Sequence, residues 1–180
     1  MAHSKTKRRS KPVRKKNGKQ NDVKRSVIGA ALFAGLQTQL EGIPLLLEDA
    51  TSAAILHRPP SGKWSAHENL AHVARYHEIF IERVSRMLTE NNPVLPRYRA
   101  EEDPLWPSWA ALPTEEILRR LKILRRRVVA LLEPLTRAQM SRRGVHPVFG
   151  EMSIQLWTEF FLVHEGHHLY VALQQVRANG

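Results

Sequence analysis

The sequence predicts an all-α fold: a four-helix bundle with one long crossover connection and a disordered basic N-terminal arm. Three observations predict it. Four segments carry apolar residues at helical spacing, prolines concentrate in the connections between them, and the cationic excess is confined to one end. The chain has 180 residues with 42% hydrophobic content, enough for one domain with a sizeable core.

Charge separates arm from domain. The formal charge is +11, but residues 1–25 hold eleven Lys or Arg against Asp22 alone, so the remainder carries only +1. A segment so polar cannot bury enough apolar surface to fold. Residues 1–25 are therefore expected to be a disordered basic arm, with residues 26–180 forming the bundle domain. Such an arm would contact RNA, DNA or anionic lipid by counterion release, with little sequence discrimination. Basic residues ahead of the apolar stretch Val27 to Leu36 have the look of an export signal. Against export, the basic region is long, no clean small-residue cleavage site follows, and Gln37, Gln39 and Glu41 continue a helical pattern. The expected location is the cytoplasm, with no stretch of the about 20 apolar residues that a membrane span requires.

The first helix is predicted from about Ser26 to Glu41, with Pro44 starting a short continuation through Leu45, Leu46 and Leu47. The run Arg58-Pro59-Pro60-Ser61-Gly62-Lys63 breaks the chain, and Ser65 with Glu68 reads as a capping box opening a second helix toward Leu88. Its apolar residues, Leu70, Val73, Ala74, Phe80, Ile81, Val84 and Leu88, keep helix spacing. Asn91 to Pro113 holds Pro93, Pro96, Pro104 and Pro107 together with Trp106 and Trp109. This composition predicts an ordered crossover, set over a cleft or pinned to the core by its tryptophans. A third helix is expected to start at Thr114, ahead of Glu115 and Glu116, and to end near Pro134. Its buried stripe runs from Ile117 to Leu132 and its opposite face is expected to be solvated arginine. Met140 to Gly150 is a second connection, after which Ser153 caps a fourth helix reaching about Arg177. No strand is expected.

The chain contains no cysteine, which excludes disulfides, thiolate metal sites, iron–sulfur clusters and a cysteine nucleophile. Any metal must be held by His, Asp or Glu. The informative string is Phe161-Leu162-Val163-His164-Glu165-Gly166-His167-His168-Leu169-Tyr170. Residues four apart on a helix sit one turn apart and differ by about 40° in direction, so His164 and His168 can reach one ion. They share a stripe with Trp157, Phe160, Phe161 and Val171 and so point inward. His167 lies about 100° from His168 and aims elsewhere, and Glu165, about 100° from His164, is expected to be solvated or bonded to a loop. The same spacing also suits two core histidines with hydrogen-bonded rings. The spacing does not match the H-E-x-x-H of zincin proteases.

A third ligand would come from the second helix. The helical wheel places His77 squarely in the apolar face and His72 at its margin beside Tyr76, so periodicity favours His77. A margin position is nevertheless where a ligand would sit if the metal lay at the mouth of a cleft.

The string Pro59-Pro60-Ser61-Gly62-Lys63-Trp64-Ser65 leads into Leu70-Ala71-His72-Val73-Ala74. Downstream, His146-Pro147-Val148-Phe149-Gly150-Glu151-Met152-Ser153 leads into His164-Glu165-Gly166-His167-His168-Leu169. On these residues the chain resembles the DinB/YfiT-like superfamily of four-helix metalloproteins, over about Ser26 to Arg177. Three histidines commonly bind one divalent ion in that family, the first on a helix that opens after a Trp-Ser or Trp-Thr pair. Carried over by motif position, the resemblance implies His72, His164 and His168. His77 stands where such proteins often have an acidic or polar residue.

The resemblance implies a divalent ion, with Zn, Ni, Mn or Fe all open, and a small-molecule or low-molecular-weight-thiol substrate. Three imidazoles leave positions open for water or substrate. Such a site suits hydrolysis, because a divalent ion lowers a water's pKa toward about 7, or transfer to a thiol bound as thiolate. The alternative is a non-catalytic stress-response or binding module whose basic arm contacts nucleic acid. Glu68 and Tyr76 are further catalytic candidates, although the capping box already explains Glu68, and packing explains an aromatic one turn beyond His72. His3, His57, His67 and His146 show no partner pattern. Oligomeric state is not legible, and a homodimer stays open.

Overall fold

Among the described residues, eight α-helices and one small hairpin make up the fold. The helices are α1 (Ala30–Thr38), α2 (Ile43–Leu47), α3 (Ser52–Leu56), α4 (Ala66–Thr89), α5 (Trp106–Ala110), α6 (Thr114–Leu132), α7 (Arg137–Met140) and α8 (Ile154–Asn179). The computed structural model describes Met1 and residues 28–179. The basic arm expected over residues 1–25, and the predicted helix start at Ser26, lie outside the described residues.

Four units form the bundle: α1 with α2, then α4, α6 and α8. The longest, α4 and α8, pack along each other, and α4 also packs on α6. A 3-10 turn over Gln39–Gly42, followed by Pro44, divides α1 from α2. The most apolar window among the described residues, Ala30–Leu47 with mean hydropathy 1.2, thus lies across this break. Gly35 lets α1 approach α8, since a Cβ there would meet Leu162 Cδ1 at 2.9 Å.

Local signals account for the starts of α4 and α8. The Ser65 side chain accepts from the Glu68 N–H while the Glu68 carboxylate accepts from the Ser65 N–H, a complete capping box. Ser153 Oγ accepts from the Leu156 N–H at 3.1 Å. α6 starts at Thr114, as expected, but without a side-chain cap. Pro113 occupies the cap position, and the Thr114 hydroxyl instead bonds His67 Nδ1 at 2.9 Å. His67 also reaches the Ala110 carbonyl through Nε2 at 3.0 Å, so it ties α4 to the crossover.

The core divides around α4. Phe80, Val84 and Met87 pack with Val128, Leu132, Trp157 and Phe161. Leu70, Val73 and Ala74 pack with Ile117, Leu121, Leu124 and Trp109. Trp109 therefore pins the crossover to the core.

The connection after α7 corrects the expectation of no strand. β1 (Arg143–His146) and β2 (Gly150–Ser153) pair antiparallel, with Gly144 opposite Met152 and His146 opposite Gly150. Gly150 has φ +72°, the left-handed conformation that closes a three-residue hairpin loop. The crossover adds a parallel bridge at Val94, where Leu95 N–H donates to the Val145 carbonyl and Val145 N–H to the Pro93 carbonyl, both at 2.9 Å. Gly144 leaves room for this close packing, since a Cβ would meet Leu95 Cδ1 at 2.9 Å and Met87 Cγ at 3.0 Å.

Candidate metal centre

His72 from the first half of α4 meets His164 and His168 from the middle of α8. One nitrogen from each lies within 4.8 Å of the other two. His72 Nε2 and His164 Nε2 are 3.2 Å apart. Two imidazole nitrogens bound to one tetrahedral zinc at about 2.0–2.1 Å lie about 3.3 Å apart, so the observed spacing fits a shared ion. His168 donates through Nδ1 to Asn69 Oδ1 at 2.8 Å. Asn69 is itself oriented, because its amide Nδ2 donates to the Ser65 carbonyl at 2.8 Å. The contact places the His168 proton on Nδ1 and leaves Nε2 with its lone pair. Nδ1 of His72 and of His164 is buried without a partner among the described residues.

All three rings are neutral at neutral pH. Burial, reinforced by His168 and His164, pulls His72 down to about 2. Burial, with His168 next in effect, pulls His164 to about 3. Burial and then His167 pull His168 to about 4. A divalent cation therefore meets donors that need lose no proton.

Aromatic side chains wall the triad. Trp64 lies 4.9 Å from His72, centroid to centroid, and stacks on Trp106 at 5.1 Å. Tyr98 stacks on His72 at 5.6 Å, and Tyr76 lies 4.1 Å from His164. The crossover thus covers the site with Trp106 and Tyr98. On the hairpin side a cleft of about 270 Å³ opens beside His72 and His164, lined also by Tyr76, Tyr98, His146 and Phe160.

His77 does not join the triad. It is fully buried, donates through Nδ1 to the Val73 carbonyl at 2.8 Å, and accepts at Nε2 from Arg125 Nε at 3.2 Å. Arg125 also donates to the Leu36 carbonyl at 2.8 Å and pairs with Glu165. One expectation is overturned here: Glu165 is 1% exposed rather than solvated, and it is buried together with Arg125, itself 6% exposed. The reason is mutual: two charges buried together satisfy each other, which neither composition nor periodicity reveals. Burial raises the Glu165 carboxyl, with Arg125 opposing.

The remaining candidates have defined places. The Glu68 carboxylate closes the capping box and pairs with Arg58 at 3.0 Å. The Tyr76 hydroxyl accepts from Arg83 Nη1 at 3.2 Å, and burial raises it above the usual phenol value. His167 is exposed on α8. Sequence reasoning missed Asn69, Tyr98 and His146. Asn69 could have been found, since it lies one turn from Ser65 on the side of the helix that leads to His72.

The DinB superfamily model matches residues 36–172, which include all three histidines. The chain belongs to the DinB superfamily. Two proteins of Oceanobacillus iheyensis, each named "Putative metal-dependent hydrolase", are 29% identical to this DinB chain. One match covers 108 residues, 60% of this chain and 62% of that protein. The other covers 140 residues, 73% of this chain and 78% of that protein. The DinB chain thus spans under two thirds of the first relative's length. YfiT from Bacillus subtilis, described as a probable metal-dependent hydrolase with an unusual four-helix bundle topology, superposes with a TM-score of 0.70. That match has 21% identity and covers 82% of this chain and 85% of YfiT, so it shows a shared fold.

Proposed function

We propose that this DinB protein is a divalent-metal-dependent hydrolase of a small molecule, its ion held by His72, His164 and His168. The carrying observation is the convergence of three neutral imidazoles beside an open cleft. Three nitrogen donors leave room for further ligands, as catalytic sites require. A divalent ion held there supplies Lewis acidity and lowers the pKa of a water toward about 7.

The chain's own residues supply the rest. Trp64, Trp106 and Tyr98 keep bulk water from the His72 side. The Tyr76 hydroxyl, fixed as an acceptor from Arg83, keeps its own proton free for a substrate oxygen in the cleft. Tyr98 donates to Asp103 at 3.1 Å and serves as wall rather than acid. Glu68 is committed to the cap and has no part in this scheme. The cytoplasm remains the location expected for the reaction.

Elemental analysis of the purified chain and of His164→Ala tests the centre, with about one ion per chain expected in the first and a large loss in the second. Absence of stoichiometric metal from the unaltered chain overturns the reading. A panel of esters, amides and phosphoesters, assayed with and without a small thiol, tests the reaction. Turnover that requires the thiol as acceptor replaces hydrolysis with thiol transfer.

A further inference from the structure

Arg83 is 5% exposed and pairs with no carboxylate among the described residues. The groups it touches are neutral, while Glu82, Glu102 and Asp103 border an adjoining cavity that Arg83 and Arg97 also line, without an ion pair to either arginine. Nη1 donates to the Tyr76 hydroxyl at 3.2 Å and Nη2 to the Pro96 carbonyl at 2.5 Å, while the guanidinium faces the Tyr76 and Trp157 rings at 5.7 and 5.4 Å. Glu82, next in the chain, is exposed and makes no ion pair with it. Burial pulls the Arg83 guanidinium below its usual value, with the Tyr76 hydroxyl and the exposed Glu82 opposing. Guanidinium still does not deprotonate in proteins, so the positive charge persists. A buried charge without a partner is costly, and proteins normally supply one.

Arg83 lines the cleft beside His72 and His164, and so does Arg97, an exposed arginine with no ion pair among the described residues. No Asp or Glu lines that cleft. His146 faces the same space in a fixed tautomer. Its Nδ1 accepts from the backbone N–H of Val148 at 3.1 Å and of Phe149 at 3.2 Å, which leaves the ring proton on Nε2. Burial, then Arg83 and Arg97, lower His146 and keep it neutral. The cleft therefore presents two cations and one neutral N–H donor, with Phe149 and Phe160 as apolar walls.

We propose that the substrate carries an oxyanion group, a carboxylate or phosphate, which enters this cleft and supplies the counter-charge that Arg83 lacks. Arg97 meets the group at the mouth, His146 Nε2 donates to it, and the aromatic walls take the apolar part. This assignment rests on the metal-hydrolase reading for the reaction but not for the binding. Arg83, Arg97 and His146 act as specificity determinants.

The probes are phenylphosphonate and benzoate, with benzamide as the neutral control, titrated into zinc-loaded and metal-stripped protein. Both anions are expected to bind both forms, at least about tenfold more tightly than benzamide. Arg83→Met, Arg97→Gln and His146→Asn should each weaken the anions several-fold and leave benzamide unchanged. If Arg83→Met does not fold, the other two variants decide. A preference for one anion over the other separates a phosphate-bearing from a carboxylate-bearing substrate. Anion binding that vanishes on stripping the metal and is equal in all variants overturns the proposal while leaving the metal centre intact. Variant-sensitive anion binding to a chain that carries no stoichiometric metal sustains the proposal and overturns the hydrolase reading.

Discussion

Asn69 Oδ1 lies 2.8 Å from His168 Nδ1, one helix reaching across to set the tautomer of a histidine on another. Replacing Asn69 by Leu removes the acceptor and frees the ring to rotate or to protonate at Nε2. Metal affinity should fall by about 10–100-fold, the usual range for a partner that orients a ligand. A chelator-competition titration measures it, and unchanged affinity would show that the contact has no role in metal binding.

The pH dependence of stability follows from four histidines, His72 and His77 buried and His164 and His168 half-buried. His72, His77, His164 and His168 are pulled by burial to between about 2 and about 4, against about 6.5 in the unfolded chain. Below about 6.5 the unfolded chain takes up protons that the native rings refuse, so stability is full above that pH and falls as pH drops toward the native values. Glu165 works in the opposite sense, since burial raises its carboxyl. The urea midpoint of metal-stripped protein should be flat from about pH 8 to 7 and decline from about 6.5 to 5, before most carboxylates titrate. His77→Phe should make the decline shallower. A midpoint constant across this range contradicts the assignment.

The Arg125–Glu165 pair is buried beside His77 in the bundle interior. Glu165→Leu strands the guanidinium and should lower stability by about 3–5 kcal/mol. The double variant Arg125→Leu with Glu165→Leu should recover a large part, because neither charge is then left alone. Denaturant unfolding of both variants gives the comparison, and a double variant no more stable than the single one rules out charge stranding as the cause.

The cap on α4 separates stability from binding. Ser65→Ala removes the side-chain half of the capping box and should cost about 1 kcal/mol. The Ser65 carbonyl that holds Asn69 is backbone and survives the substitution. Calorimetry should therefore show a lowered melting temperature, while zinc affinity stays within about twofold. A large loss of zinc affinity would mean that the cap positions the histidines as well.

Much of this molecule is legible locally. The capping box at Ser65 and Glu68, the cap at Ser153 and the one-turn spacing of His164 and His168 depend only on near neighbours in the chain, so the sequence by itself determined the long helices and two of the three clustered histidines, but not the short α3, α5 and α7. For the third histidine, periodicity favours His77 and only the family motif points to His72. His72 and His77 are five residues apart on α4, and the wheel reports only which direction is apolar on average. Packing decided between them: α8 brings its histidines to His72, whereas His77 is taken by Val73 and Arg125. The four-residue strands β1 and β2 are too short for periodicity to register and depend on pairing across the hairpin and to Val94. Nothing local marks Arg83 or Arg125 as buried, because arginine is mostly exposed. Only tertiary structure decides which guanidinium is closed over by neighbouring helices and which of the two finds a carboxylate, since burial and charge pairing arise between elements distant in sequence.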